Sequence, residues 1–178
     1  MTKILYIHGL NSGADCRTAR TLRETLPQDQ FTIIAPDIPI SANAALAMVK
    51  RIIEDEKIDI VAAASLGAFT ALQLRGIKRV IINPSCYPAD RLPSLGVEQS
   101  IAEEYRPLQE RLWKSITPED ERITAALFGD HDELFSYKEE FSNHYRSSRV
   151  EVIDEGHRLS VESIKSELAP LIVNLAKI

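Results

Sequence analysis

Cysteine is scarce in this sequence. Cys16 and Cys86 are the only two in 178 residues, and neither belongs to a metal-binding or redox spacing. Free thiols in a reducing compartment are the expectation, and no metal site or cofactor is expected. Positive charge is also in short supply. Lysine and arginine total 21 against 26 aspartates and glutamates, a formal net charge of −5. Nucleic acid and anionic membrane surfaces recruit a basic face, so both are excluded as expected partners.

Long apolar runs are missing. The opening run in "MTKILYIHGLNS" is too short to span a bilayer and lacks a small-residue cleavage site. Later apolar runs are interrupted by charge. A cytoplasmic location is expected. No internal repeat, low-complexity tract or Gly/Ser linker divides the chain, so residues 1–178 read as a single domain. The sequence is silent on oligomeric state.

What is present is a regular alternation. Short apolar runs, "KILYIH", "FTIIAPDI", "DIVAAAS", "RVIINP", "ITAALFGD" and "VEVIDEG", predict about six strands. Amphipathic or apolar segments between them predict helices: "CRTARTLRETL", "SANAALAMVKRIIEDEK" with Ser41 or Asn43 as N-cap, "LGAFTALQLRG" closed by Gly76, "YKEEFSNHYR", and a last helix broken or restarted near Pro170. The strands are continuous apolar runs rather than strict alternations. That pattern belongs to a sheet buried on both faces, so the fold class is α/β, mainly parallel, with helices on both sides. Residues 85–122 break the rhythm with Pro-rich turns and a polar helical stretch. They are read as a short helical, lid-like insertion.

In an open parallel sheet, ligands bind beyond the carboxyl ends of the strands. Four polar positions fall there: His8-Gly9, Ser65, the acidic loop "GDHDE" and His157. Ser65, in "VAAASLGAFT", joins a strand to a helix. It is either an N-cap or an exposed nucleophile on a tight elbow. An elbow needs small residues two places either side; Gly67 is one and Ala63, standing where glycine is usual, adds only a methyl. Such a serine requires a histidine base and a carboxylate to orient it. His157, in the loop "DEGHRLS", suits the base better than His131 or His144, and His8 suits a loop over the reacting carbonyl. Asp132 is the preferred acid, with Asp130 and Asp154 as alternatives. The order Ser65, Asp132, His157 is that of an α/β-hydrolase triad. The backbone N–H groups of Leu10 and Leu66 are the expected oxyanion donors, and His8, Gly9 and Asn11 the candidate substrate-binding residues.

Taken together, "YIHGLNS", "SLGAF", "INPS", "DELFSY" and "EGH" resemble the small YqiA/YcfP-type esterases of the α/β-hydrolase superfamily across essentially the whole chain. The resemblance implies a compact α/β-hydrolase fold and cofactor-free cleavage of small acyl esters. It implies Ser65 as nucleophile, Asp132 as acid and His157 as base, with a small-molecule ester as partner. Thioester or amide cleavage and acyl transfer could use the same triad, and a noncatalytic ligand-binding protein is the rival of another class. Tyr87, Tyr105 and Trp113 of the insertion are expected either to wall the substrate site or to anchor the insertion on the core.

Overall fold

The computed structural model describes residues 1–178. Six strands form one sheet: β1 (Thr2–Ile7), β2 (Phe31–Ile34), β3 (Ile60–Ala64), β4 (Lys78–Ile82), β5 (Thr124–Gly129) and β6 (Arg149–Ile153). Their order is β2-β1-β3-β4-β5-β6, and every pairing is parallel. The register brings the carboxyl ends to a common edge: Ile7 pairs with Ala63, Ala64 with Ile82, Ile82 with Leu127, and Gly129 with Ile153.

Successive side chains of a strand point to opposite faces, and each face has its own core. Leu5, Ile7, Val61, Ala63, Ile81, Ala126 and Phe128 pack to one side. There they meet α2 (Ala42–Glu56), α3 (Leu66–Leu72) and α8 (Lys138–His144). Ile4, Tyr6, Ile60, Ala62, Val80, Ile82, Ala125 and Leu127 pack to the other side. Their partners are α1 (Arg17–Thr25) and the C-terminal helix. Burial of both faces is why the strands read as unbroken apolar runs.

The last helix begins as α9 (Val161–Ser163), passes through a π turn (Ile164–Leu168), and continues as α10 (Ala169–Ala176). Pro170 has no N–H, and its ring crowds the carbonyl four residues back. The expected break near Pro170 therefore takes the form of one wide turn, closed by the Ala169 N–H on the Ile164 carbonyl. Ser41, rather than Asn43, caps α2, accepting from the Ala44 N–H.

Helix α3 is shorter than expected and stops at Leu72 rather than near Gly76. Its last carbonyls are taken by arginines. Arg79 is fully buried on β4 and donates to the carbonyls of Ala71 and Leu74, while Arg75 donates to those of Leu72 and Leu74. Arg79 also donates to the Thr124 hydroxyl and lies 3.7 Å from the buried Asp120 carboxylate. These groups sit at the amino ends of the strands, opposite the edge that gathers Ser65 and His157.

The insertion forms four short helices: α4 (Pro88–Arg91), α5 (Gln99–Glu103), α6 (Arg106–Glu110) and α7 (Pro118–Arg122), with a 3-10 turn at Pro93–Leu95. Its aromatics serve as anchors. The Tyr105 hydroxyl donates to the Ile40 carbonyl at 2.6 Å, and its ring packs edge-on against Phe69. Trp113 stacks on His144 and donates its indole N–H to Glu140, which also accepts from Tyr87.

Candidate active site

The site begins with strain at one residue. Ser65 stands between β3 and α3 with φ 54° and ψ −118°, a backbone region that residues with a Cβ rarely occupy. Its hydroxyl makes no cap bond to α3, so it is not an N-cap serine. The turn is tight because strand and helix backbones nearly touch. A Cβ placed on Gly67 would lie 2.4 Å from the Ile7 carbonyl oxygen and 2.5 Å from that of His8. Ala63 has room for its methyl in the core beneath the sheet, where it is fully buried. Gly9 closes over the turn, and a Cβ there would come 2.9 Å from that of Ser65.

His157 reaches Ser65 from the loop after β6. Its Nε2 is 3.0 Å from Ser65 Oγ and its Nδ1 2.9 Å from Asp132 Oδ2. A carboxylate only accepts, so Nδ1 carries the proton and Nε2 is free to accept from the serine hydroxyl. The imidazole and the carboxylate are nearly enclosed, with side chains 7% and 5% exposed. Phe135 packs edge-on against the ring at 5.0 Å.

The loop after β5 distinguishes the two aspartates. Asp132 uses its other oxygen, Oδ1, to accept from the N–H groups of Leu134 and Phe135 at 2.8 and 2.9 Å. One carboxylate thus both builds its own turn and faces the histidine. Asp130 and Asp154 instead flank the exposed His131, at 3.5 and 3.1 Å from its Nε2. His144 is exposed on α8 and far from Ser65 in its contacts, stacked on Trp113.

Two residues that the sequence motifs left without a role hold the loop that carries His157. Glu133 accepts from the His157 N–H at 3.0 Å, and this bond with that of its own amide holds its carboxyl below the ordinary range. Asn83, at the end of β4 with φ 40°, is 2% exposed. Its amide nitrogen donates to the carbonyls of Gly156 and His157 at 3.2 and 3.0 Å. Its amide oxygen accepts from the Gly129 N–H at 2.9 Å. Two residues on, the Ser85 N–H donates to the Ser65 carbonyl at 3.1 Å. The segment Asn83–Ser85 therefore touches the Ser65 turn, the end of β5 and the His157 loop together. Its only sequence signal is asparagine before proline at a strand end.

His8 has both ring nitrogens occupied by backbone: Nε2 accepts from the Ile38 N–H at 3.0 Å, which leaves Nδ1 to donate to the Gly9 carbonyl at 2.8 Å. It braces the loop that carries Gly9, Leu10 and Asn11. Asp37 braces the same loop further on, accepting from the Ala14 N–H at 2.7 Å. Asn11 is exposed with φ 55°. Leu66 opens α3, so its N–H has no partner within the helix.

A cavity of about 380 Å³ opens directly onto this constellation. Ser65, His157, Gly9, Leu10 and Asn11 line it, with an apolar wall that includes Tyr6, Leu134, Phe135 and Leu159. Leu95 is the insertion's contribution to the lining; Tyr87, Tyr105 and Trp113 are not part of it.

The profile of a family described as "Uncharacterised protein family (UPF0227)" matches residues 3–176. No curated protein sequence matches the chain. Among solved structures, the chain is similar to Est1E from Butyrivibrio proteoclasticus, with a TM-score of 0.74 at 14% identity over 99% of this chain and 89% of that one. It is similar to MGS-MChE2, an alpha/beta hydrolase enzyme from a lagoon-sediment metagenome, at TM-score 0.68 and 16% identity over 99% and 90% of the two chains. It is also similar to a thermophilic esterase from Thermogutta terrifontis, at TM-score 0.65 and 14% identity over 99% and 90%. The fold is that of the α/β-hydrolases.

Proposed function

The chain belongs to the uncharacterised protein family UPF0227, the YqiA/YcfP-type family whose motifs it carries, and we propose that it is a serine hydrolase of small carboxylic esters. The observation that carries this reading is the unbroken hydrogen-bonded line from Ser65 Oγ through His157 to Asp132 at the mouth of a cavity. A binding protein has no need of a strained serine held against an oriented imidazole. Similarity in fold to the thermophilic esterase from Thermogutta terrifontis supports the same reaction class.

Ser65 Oγ attacks the acyl carbon while His157 Nε2 takes its proton, and Asp132 stabilises the imidazolium at Nδ1. The developing oxyanion is met by the N–H groups of Leu10 and Leu66, each worth about 10²–10³ in rate. Collapse breaks the ester C–O bond, and the imidazolium returns the proton to the leaving alcohol. Water, deprotonated by His157, then attacks the acyl-enzyme and releases the acid with Ser65 restored. Enclosure of the histidine and acid keeps bulk water from weakening these interactions.

The test is labelling by a fluorophosphonate probe together with hydrolysis of p-nitrophenyl acetate and butyrate. The wild type should be labelled and active, and Ser65→Ala should be neither. An unlabelled, inactive wild type overturns the hydrolase reading; labelling that persists in Ser65→Ala overturns the choice of nucleophile. Thioester and amide analogues in the same assay define the leaving group.

A further inference from the structure

The cavity beside Ser65 is lined by two arginines, Arg17 and Arg158, and by no aspartate or glutamate. This runs against the composition of the chain, in which acidic residues outnumber basic ones. The two arginines come from distant parts of the sequence. Arg17 is the first residue of α1, and Arg158 follows His157. Arg17 Nη1 lies 3.4 Å from the carbonyl oxygen of Leu159, so its guanidinium leans over the backbone next to Arg158.

Neither guanidinium is held in a salt bridge. The nearby carboxylate of Glu155 is held below its ordinary pKa chiefly by Ser160 and Ser163, with a smaller pull from Arg17, but forms no salt bridge with it: its Oε1 accepts from the Ser160 N–H at 3.1 Å and from the hydroxyls of Ser160 and Ser163. Helix α1 adds to the same bias. Its N-cap Cys16 makes no side-chain cap, its first turn holds no acid, and Cys16, Arg17 and Thr18 all line the cavity. A cation on the first turn of a helix opposes the helix dipole. Two cations on one rim repel each other as well. An anion between them removes both penalties, and the planar guanidinium fork suits an oxyanion with two or three equivalent oxygens.

We propose that the ester cleaved at Ser65 carries an anionic group, a carboxylate or a phosphate, held by Arg17 and Arg158 while its carbonyl sits against the serine. This rests on the hydrolase reading and narrows its substrate class to acidic esters. Chemistry at Ser65 is unchanged: the ester C–O bond breaks, water supplies the new C–O bond, and the anion takes no part in the bond changes. A volume of about 380 Å³ accommodates a small acid of this kind.

The decisive measurement is the ratio of kcat/KM for p-nitrophenyl hemiadipate to that for p-nitrophenyl 6-methylheptanoate, its neutral counterpart in shape. The wild type should favour the anionic ester by about tenfold or more, the scale of one charge-assisted hydrogen bond. The ratio should fall about as far in Arg17→Gln and Arg158→Gln and stay in Arg51→Gln, a remote exposed arginine on α2. Titration calorimetry of adipate and of butyl phosphate onto Ser65→Ala protein reads the anion site without turnover. Adipate and butyl phosphate arms separate a carboxylate from a phosphate as the preferred group. A ratio and an anion affinity that both fall in the arginine variants support the proposal. A wild-type ratio near one, or one equal in wild type and arginine variants, overturns it, and hydrolysis of neither ester overturns the hydrolase reading on which it rests, even where an anion binds.

Discussion

His157 Nε2 lies 3.0 Å from Ser65 Oγ although 92 positions separate the two residues. Each arrives from the carboxyl end of a different strand, β6 and β3, with β4 and β5 between them in the sheet. The contact therefore depends on four strands keeping register and on loops that hold their shape.

Asp132→Asn should reduce kcat by about 10⁴-fold, because the amide no longer holds Nδ1–H and stabilises no imidazolium. Asp130→Asn should change it little, since that carboxylate is half-exposed beside His131. Ester kinetics on the two variants check this, and the opposite ranking would reassign the acid.

Asn83 acts through His157 and touches no part of the cavity. Asn83→Ala should lower kcat by about 10²-fold, the effect of a base displaced by an ångström or so, with KM for the same ester unchanged. Asn83→Asp, equal in size, should fail to rescue, because it turns a double donor into an acceptor facing two carbonyl oxygens. Loss of thermal stability with wild-type kcat would reduce Asn83 to a purely structural residue.

Gly67→Ala places a methyl against two backbone carbonyls, so the elbow must open. About 1–3 kcal/mol of stability should be lost, the usual range for overpacking, and fluorophosphonate labelling of Ser65 should slow. Ala63→Gly should keep the labelling rate while costing about 0.5–1 kcal/mol through chain entropy. Chemical denaturation and labelling kinetics on the pair separate close approach from a general need for glycine.

At the opposite end of the sheet, Asp120→Ala leaves Arg79 buried without a counter-charge and should cost about 3–5 kcal/mol in a denaturant titration. Burial by itself would raise the Asp120 pKa. The Gly76 amide, the Thr117 hydroxyl and amide, and Arg79 together hold it below its ordinary value of 3.8. A depressed folded-state pKa contributes stability that is present above the ordinary value and lost as pH falls below it. Wild-type stability should therefore decline below about pH 4, and Asp120→Asn should flatten that decline.

The sequence by itself determined the strand and helix alternation, and with it the parallel sheet, because burial on both faces leaves continuous apolar runs. It also placed Ser65, Asp132 and His157 beyond strand ends, since chemistry-bearing residues stand out where those runs stop. Tertiary structure alone decided what depends on distance between segments. Ser65 as elbow rather than N-cap follows from its backbone angles and its bond to His157. The sequence already favours Asp132 over Asp130; the tertiary structure adds which Asp132 oxygen builds the turn and which faces the imidazole. Arg79 opens the strand run "RVIINP" with a charge, yet it is fully buried, because Asp120, Thr124 and the last carbonyls of α3 converge on it from 5 to 45 residues away. Arg17 and Arg158 line one cavity for the same reason: the C-terminal helix packs back against α1 and brings the loop after β6 to its start. Such pairings are set by packing between segments distant in the chain, where local pattern carries no information.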